Sequence, residues 1–378
     1  MKLLIIGGTG VLSTATVNEA LSSGMEITLI NRGHRMERIP KGVSLIKADC
    51  RNDILIKKEL GDSFFDSIID FVCYDRDQVA HSIELFSKYA KQYIFISSAA
   101  VIDTRIDKIS DENSKKVLPG WDYSVSKWDA ENCVREICSQ KKIDYTIVRP
   151  CVTYDNTRIP YGFAPQYGYH WTLISRAKTG KPIVTWNNGI NRFNVMRVED
   201  FAVGMVGIIG NEKAYNREIN ICGDEKPSFL EIIQSLEQSL GLSIPQINID
   251  IEFCKECIPE RSGELEGRSH NAVHSNALIK TLVPGFKQNI SLSEGICMTL
   301  KAYQENNYQR GIDWIYDAQC DYLIKKWCKH NKINKKQFHL GFKDYLGNAS
   351  FQDKIRYYSI YFQDLAAIKL AKRIKRII

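Results

Sequence analysis

The first hundred residues alternate short, unbroken apolar runs with amphipathic stretches. Residues 2–6 form one such run, Gly7-Gly-Thr-Gly10 ends it, and an amphipathic segment continues to about Ser23 before a second run, Glu26–Ile30. An apolar run without polar alternation is the pattern of a strand buried on both faces of a parallel sheet. Val43–Ala48, Ser67–Val72 and Gln92–Ser97 repeat it, with helical periodicity from about Asp77 to Ala90 between the last two. Five strands alternating with helices predict an α/β fold, a doubly wound parallel sheet of the Rossmann kind. Further on, Lys181–Val184 and Tyr215–Cys222 read as strands that rejoin this sheet. Phe229–Leu240 and Leu278–Val283 read as helices of a smaller lobe, and Ser291–Ile296 as a helix start that Ser293 can cap. The expected division is 1–160, 161–305 as a discontinuous second lobe, and 306–378 as a helical extension.

The turn after the first strand carries the first candidate chemistry. Its glycines let the backbone approach a pyrophosphate, and the helix start at Val11 and Leu12 supplies amide donors and a partial positive charge. The spacing is Gly-x-x-Gly-x-x-Ser, with Ser13 where a third glycine is commoner. A fold of this kind that prefers NAD usually ends its second strand on a carboxylate that holds the ribose 2′-hydroxyl. This chain has Asn31 there, with Arg32 and Arg35 close behind, and a guanidinium fork suits a 2′-phosphate. The cofactor is therefore NAD or NADP, with Asn31-Arg32 favouring NADP. Asp49, beside Cys50 at the end of the third strand, is placed either to bond the adenine amino group or to cap the next helix.

Tyr123-Ser-Val-Ser-Lys127 adds a phenol and an ammonium four residues apart, which share one helix face. A lysine so placed lowers the phenol pKa, and a serine from a strand end, Ser97 or Ser98, completes a proton path to an alcohol or ketone. Two serines there could equally be caps. Position downstream of a phosphate-cradling turn favours the catalytic reading.

Composition narrows the setting. The chain has 378 residues, 44% hydrophobic and 25% charged, ordinary globular values. No eighteen-residue apolar stretch and no signal peptide are present, so the expected location is cytoplasmic. Eleven cysteines at scattered spacing argue for reduced thiols. Cys254-Lys-Glu-Cys257 lacks a second close pair, so no metal is expected. The net charge of +7 is uneven: residues 321–378 hold 14 Lys/Arg against 4 Asp/Glu, and the first 320 hold 37 against 40.

Taken together, Gly7-Gly-Thr-Gly10, Asp49, Phe95-Ile-Ser-Ser98-Ala, Tyr123-x-x-x-Lys127, Arg149-Pro150, Val198-Glu-Asp200 and Tyr215–Gly223 resemble an extended short-chain dehydrogenase/reductase of the NAD-dependent epimerase/dehydratase type. The resemblance covers roughly residues 1–305. Ile69-Asp-Phe-Val-Cys-Tyr74 and Leu29-Ile-Asn-Arg-Gly33 look like an atypical branch that includes chloroplast stem-loop RNA-binding proteins. The resemblance implies Ser98 as the catalytic hydroxyl and Tyr123 as the acid/base. Lys127 would hold the nicotinamide ribose, and Pro150 would pack near the nicotinamide. It also implies a nucleotide-sugar substrate and makes a homodimer common. The diphosphate contact would fall to Arg192, one position from the family's usual site at Phe193, and to Arg261. The Asp-Glu pair of 4,6-dehydratases is Ala99-Ala100 here, which argues against elimination.

Tyr161, Tyr167, Tyr169, His170 and Trp171 could stack on a base or sugar, or simply pack. On a helical wheel, residues 365–378 separate Leu370, Ala371, Ile374, Ile377 and Ile378 from Lys369, Lys372, Arg373 and Arg376. That pattern suits a helix docked on protein or a peripheral contact with an anionic membrane. No RNA-recognition motif supports a nucleic-acid partner. The leading reading is an NAD(P)-dependent epimerase of a nucleotide-linked sugar, with an NADPH-dependent keto-sugar reductase behind it. A non-catalytic dinucleotide-binding protein that contacts RNA or a partner is the alternative of another class.

Overall fold

The apolar runs of the N-terminal half form strands in the computed structural model, which describes residues 1–308, 311–342 and 349–365. β1 (Lys2–Ile6), α1 (Val11–Ser22), β2 (Glu26–Asn31), β3 (Ser44–Lys47) and α2 (Asp53–Leu60) come first. β4 (Phe65–Asp70), α3 (Arg76–Phe86), β5 (Ala90–Ile96), α4 (Asp122–Lys141) and β6 (Asp144–Pro150) continue the alternation. Next are β7 (Val152–Tyr154), α5 (Trp171–Lys178), β8 (Ile183–Thr185), β9 (Val195–Arg197), α6 (Val198–Gly207) and β10 (Arg217–Ile221). The rest is α7 (Phe229–Leu240), β11 (Gln246–Asn248), α8 (Ile251–Cys257), α9 (Ser262–Glu266), α10 (Ala277–Leu282), α11 (Leu292–Glu305), α12 (Trp314–His330) and α13 (Phe351–Tyr361).

Seven strands form one parallel sheet in the order β10-β6-β5-β4-β1-β2-β3. The strand period of two sends alternate side chains to opposite helical layers. Leu4 and Ile6 join Ile56, Val79, Ile83 and Val134 on one face. Leu3 and Ile5 join Val17, Ala20, Phe201 and Met205 on the other. This sheet is the doubly wound α/β fold that the apolar runs predict. It belongs to a unit built of Met1–Asp155, Arg192–Pro227 and His270–Leu292.

Two segments take different partners from those expected. The strand at Lys181–Val184 does not rejoin the large sheet, because β8 pairs with β11 instead. Its three residues carry no local information about which strand will accept their hydrogen bonds. The helix at 277–282, assigned above to the smaller lobe, buries Ile279 and Leu282 in the core of the first unit.

The second unit comprises Asn156–Asn191, Ser228–Ser269 and Ser293–Ile378. α7 starts at a reciprocal Ser228–Glu231 capping box and buries Phe229, Ile232, Ile233 and Leu236. Asp317 and Asp321 of α12 form a fully buried cluster with Arg176 and Lys181. Lys181 Nζ lies 2.9 Å from Asp317 and 2.8 Å from Asp321, and the Tyr357 hydroxyl donates to Asp321 at 2.5 Å. Burial works to raise the Asp321 pKa, and the two cations overcome it, so the carboxyl sits below its ordinary value. The described part of the stretch after 306 is thus built into this unit through ion pairs that only folding brings together. Residues 366–378, which carry most of the amphipathic pattern, lie outside the described residues. Among the described residues no helix is long and apolar enough to cross a membrane, and no three His, Cys, Asp or Glu gather to hold a metal.

Candidate active site

The glycine turn is built as a cradle. Gly7 sits at φ +86°, and a Cβ there would stand 2.2 Å from Val72 Cγ1, so only glycine fits. Ser13 is 1% exposed. Its hydroxyl donates to the Gly7 carbonyl and accepts from the Gly10 N–H, both at 2.8 Å. The serine in place of a third glycine therefore closes the turn. The amides of Val11 and Leu12 open α1 and have no acceptor within their own helix, which makes the helix start an anion site. These residues fit the pyrophosphate of a dinucleotide.

Asn31 ties the end of β2 to this turn: its Nδ2 donates to Thr9 Oγ1 at 2.9 Å and its Oδ1 accepts from Gly33 N–H at 2.8 Å. Arg35 donates to the Thr9 carbonyl at 3.4 Å, whereas Arg32 is exposed. Arg35 is thus the arginine bonded to the turn. Asp49 is exposed and accepts from the Arg51 N–H at 3.0 Å, and the cap of α2 is Asn52. Cys50 is half-buried, and burial followed by the Asp70 charge pushes its thiol up to about 11. Pro150 is buried at the end of β6.

Tyr123, Lys127 and Glu131 follow at four-residue spacing along α4. Tyr123, in the first turn, is 39% exposed with its ring 5.6 Å from that of Trp121. Lys127 is buried, and its Nζ donates to the Cys73 carbonyl at 2.9 Å and the Ile96 carbonyl at 3.3 Å. Those carbonyls sit just past β4 and at the end of β5. Rings of Tyr74 and Phe95 lie 4.8 and 5.0 Å from the ammonium. Burial pulls the Lys127 pKa down to about 8 against the opposing pull of Asp70 and other acids.

The two serines after β5 have different fates. Ser97 is buried and donates to Glu131 Oε1 at 2.7 Å. Ser98 is half-buried, opens a short 3₁₀ turn at Ala99–Val101 and accepts from the Ala100 N–H at 3.2 Å. Glu131 also receives Arg149 of β6 through two bonds of 2.8 and 2.6 Å, with both side chains fully buried. One carboxylate thereby braces α4, β5 and β6, the elements that carry Tyr123, Lys127, Ser98 and Pro150.

Two residues of this arrangement were not singled out from the sequence. Glu131 looks like an ordinary helix-surface acid. Asp70 ends an apolar strand, which was its one visible signal. It is fully buried and accepts from Val72 N–H at 2.8 Å, Cys73 N–H at 3.1 Å, Ser82 Oγ at 2.5 Å and the Tyr93 hydroxyl at 2.9 Å. Asp70 shapes the loop whose Cys73 carbonyl holds Lys127.

The expected diphosphate arginines belong to different units. Arg192 is exposed in the first unit and donates to the Lys226 carbonyl at 2.9 Å. Arg261, in the second, donates to Glu264 at 2.9 and 2.7 Å and to the Ala164 carbonyl at 2.9 Å, and lies 4.4 Å from the Phe163 ring. A ligand phosphate would therefore compete with bonds Arg261 already makes. Among the aromatic residues expected to stack, Tyr161 and His170 are buried, and burial pulls the His170 pKa down to about 3. Trp171 is stacked on Tyr308 at 3.5 Å.

Comparison with known proteins adds to this geometry. The sequence model of the family described as NAD dependent epimerase/dehydratase matches residues 3–222. The chain is 25% identical over 313 residues to the chloroplast stem-loop binding protein of 41 kDa b of Arabidopsis thaliana, covering 78% of this chain and 77% of the other. It is 17% identical over 288 residues to 2′-dehydrokanamycin reductase of Streptomyces kanamyceticus, covering 76% and 80%. The structure of UDP-glucuronic acid 4-epimerase from Bacillus cereus in complex with NAD superposes with a TM-score of 0.64 at 18% identity, over 81% of this chain and 99% of that one.

Proposed function

Because the chain belongs to the NAD-dependent epimerase/dehydratase family, we propose that it epimerises a nucleotide-linked sugar through a transient keto sugar. The observation that carries this reading is the Lys127 ammonium, fixed by two backbone carbonyls four residues along the helix from Tyr123. When bound, the nicotinamide ring supplies the acceptor and donor of hydride. The Val11 and Leu12 amides hold the pyrophosphate beside Gly7 and Gly10. Asp49 and Cys50 would border the adenine, and Pro150 would pack near the nicotinamide. Tyr123 takes the proton of the sugar hydroxyl as the carbinol becomes a ketone, and returns it when the ketone is reduced from its other face. Ser98 donates to that oxygen and keeps it in line. An ammonium has three N–H donors, and the carbonyls take two, which leaves one of Lys127 for a ribose hydroxyl. Its charge favours the phenolate of Tyr123. Arg192, in the same unit as Tyr123 and Lys127, is the diphosphate contact of this reading. Ala99 and Ala100 offer no carboxyl for dehydration.

A keto-sugar reductase that uses NADPH is the second reading. Arg35 against the Thr9 carbonyl favours it, since a guanidinium there suits a 2′-phosphate. The reductase from Streptomyces kanamyceticus adds weight. One experiment tests both. The purified chain is denatured, the released nucleotide is identified by mass, and the native chain is given nucleoside-diphosphate hexoses with and without NADPH. Retained NAD and interconversion of epimers without added cofactor are the expected result. Stoichiometric NADPH oxidation selects the reductase, and neither activity with no bound nucleotide sinks both.

The depressed lysine gives a pH signature. Between about pH 8 and 10.5 the unfolded chain holds the Lys127 proton more tightly than the folded chain, so this group makes stability rise with pH in that window. The effect is on the order of 3 kcal/mol. Parent and Lys127→Met melted side by side from pH 7 to 10.5 should diverge steadily in the parent's favour. Parallel curves would show that Lys127 is not a buried ammonium.

A further inference from the structure

We infer that α13 and the end of α12 form a docking face for a bilayer containing anionic phospholipid. The inference is independent of the reaction proposed above. Along α13, Phe351, Ile355 and Tyr358 are 77%, 53% and 38% exposed, and Phe362 and Leu365 just beyond it are 39% and 56% exposed. Successive steps of four, three, four and three residues put the helical members of this set on one stripe. The opposite side of the helix is anchored. Tyr357 is fully buried against Ala318 and Phe342, and its hydroxyl is bonded to Asp321. Packing therefore leaves Phe351, Ile355 and Leu365 more than half exposed, with Tyr358, which also packs on Phe342, and Phe362 stacked between them, and such an apolar row is costly without a partner.

Charge beside the stripe says which partner. A depression of about 360 Å³ is lined by Lys325, Lys326, Lys329, Lys335, Ile333 and Asp364. It adjoins the end of α13: Lys325 donates to the Tyr361 carbonyl and lies 5.4 Å from the Phe362 ring, and Lys326 is 3.3 Å from Asp364. Asp364, the acid lining this depression, is already held by Lys326 and by the Tyr322 hydroxyl at 2.9 Å. Lys332 and Lys336 are exposed nearby in sequence, as are Lys329 and Lys335. Apolar side chains flanked by lysines are what an interfacial helix presents to acyl chains and phosphate headgroups together. An apolar partner protein would leave the lysines unmatched, and an RNA strand would leave the Phe351–Ile355 stripe in water.

The full-length chain is sedimented with vesicles of phosphatidylcholine alone or with about a third phosphatidylserine, at low and high salt. Pelleting with the anionic vesicles, weakened by salt, is expected. Ile355→Asp and the pair Lys329→Glu/Lys335→Glu should each lower that partition about tenfold or more, roughly fivefold per charge removed. Unchanged melting and bound nucleotide show that these variants remain folded. The proposal fails if the parent stays in the supernatant or if the variants pellet like the parent. It also fails if Ile355→Asp converts a dimer to a monomer, which would make a second copy the occupant. Retention of RNA lost in the lysine pair and kept in Ile355→Asp would assign the face to nucleic acid.

Discussion

Tyr123→Phe should lose about 10²- to 10⁴-fold in turnover, the usual worth of a positioned proton-transfer group. Nucleotide content and melting temperature should stay at the parent's values. Tyr123 is 39% exposed at the start of α4 and belongs to neither buried core cluster of the first unit, so the ring that phenylalanine keeps leaves that core as it is. The cofactor contacts proposed for the glycine turn lie on a different element. Turnover is followed with a nucleotide-sugar substrate by the ratio of epimers at fixed enzyme concentration, and cofactor binding by fluorescence. A variant with undiminished turnover would remove Tyr123 from the chemistry and with it the proposed mechanism. The same variant separates the enzyme from a non-catalytic alternative. If the chain instead contacts RNA, as the non-catalytic alternative has it, that contact would be indifferent to this one oxygen.

How much of this was visible in the sequence depends on how local each cause is. The sheet was legible because strands buried on both faces read as near-continuous apolar runs, and Leu3–Ile6 or Tyr93–Ile96 satisfy that without reference to anything distant. The glycine turn and the Tyr123–Lys127 spacing are local as well. The choice of Ser98 over Ser97 rests on resemblance, and the two serines differ in partner and exposure. Adjacent residues of an extended strand point to opposite sides, so one serine is drawn into Glu131 and the other is left half-open. Distant causes were not legible. Lys127 is held by carbonyls 54 and 31 positions away. Asp317 and Asp321 look like surface acids of a basic extension until Arg176 and Lys181, more than 130 residues earlier, enclose them. Average charge over a segment conceals such pairs, which is why residues after 306 resembled an appendage.

The Glu131–Arg149 pair is where a distant contact should have the largest effect on stability. Glu131→Gln keeps the shape of the side chain and removes its charge, so the fully buried guanidinium of Arg149 loses its counter-ion. Breaking a buried pair from one side costs about 3–5 kcal/mol. Removing both charges with Glu131→Met/Arg149→Met should cost much less, because Arg135, which also bonds Glu131 at 2.9 Å, is partly exposed and keeps Glu218 at 2.6 Å, so no fully buried charge is left behind. The double-mutant cycle should then show coupling well above 1 kcal/mol by denaturant unfolding. Additive losses would mean the pair is screened by water and cannot brace the site. Turnover supplies the second readout. In the double variant Ser97 has lost its acceptor, so β5 and α4 are free to shift against each other even where the fold survives. If Ser98 depends on that brace for its aim, the stable double variant remains slow, with the fall in kcat rather than in KM. Stability recovered together with full turnover would confine Glu131 to the core and leave the placement of Ser98 to the 3₁₀ turn at Ala99–Val101 alone.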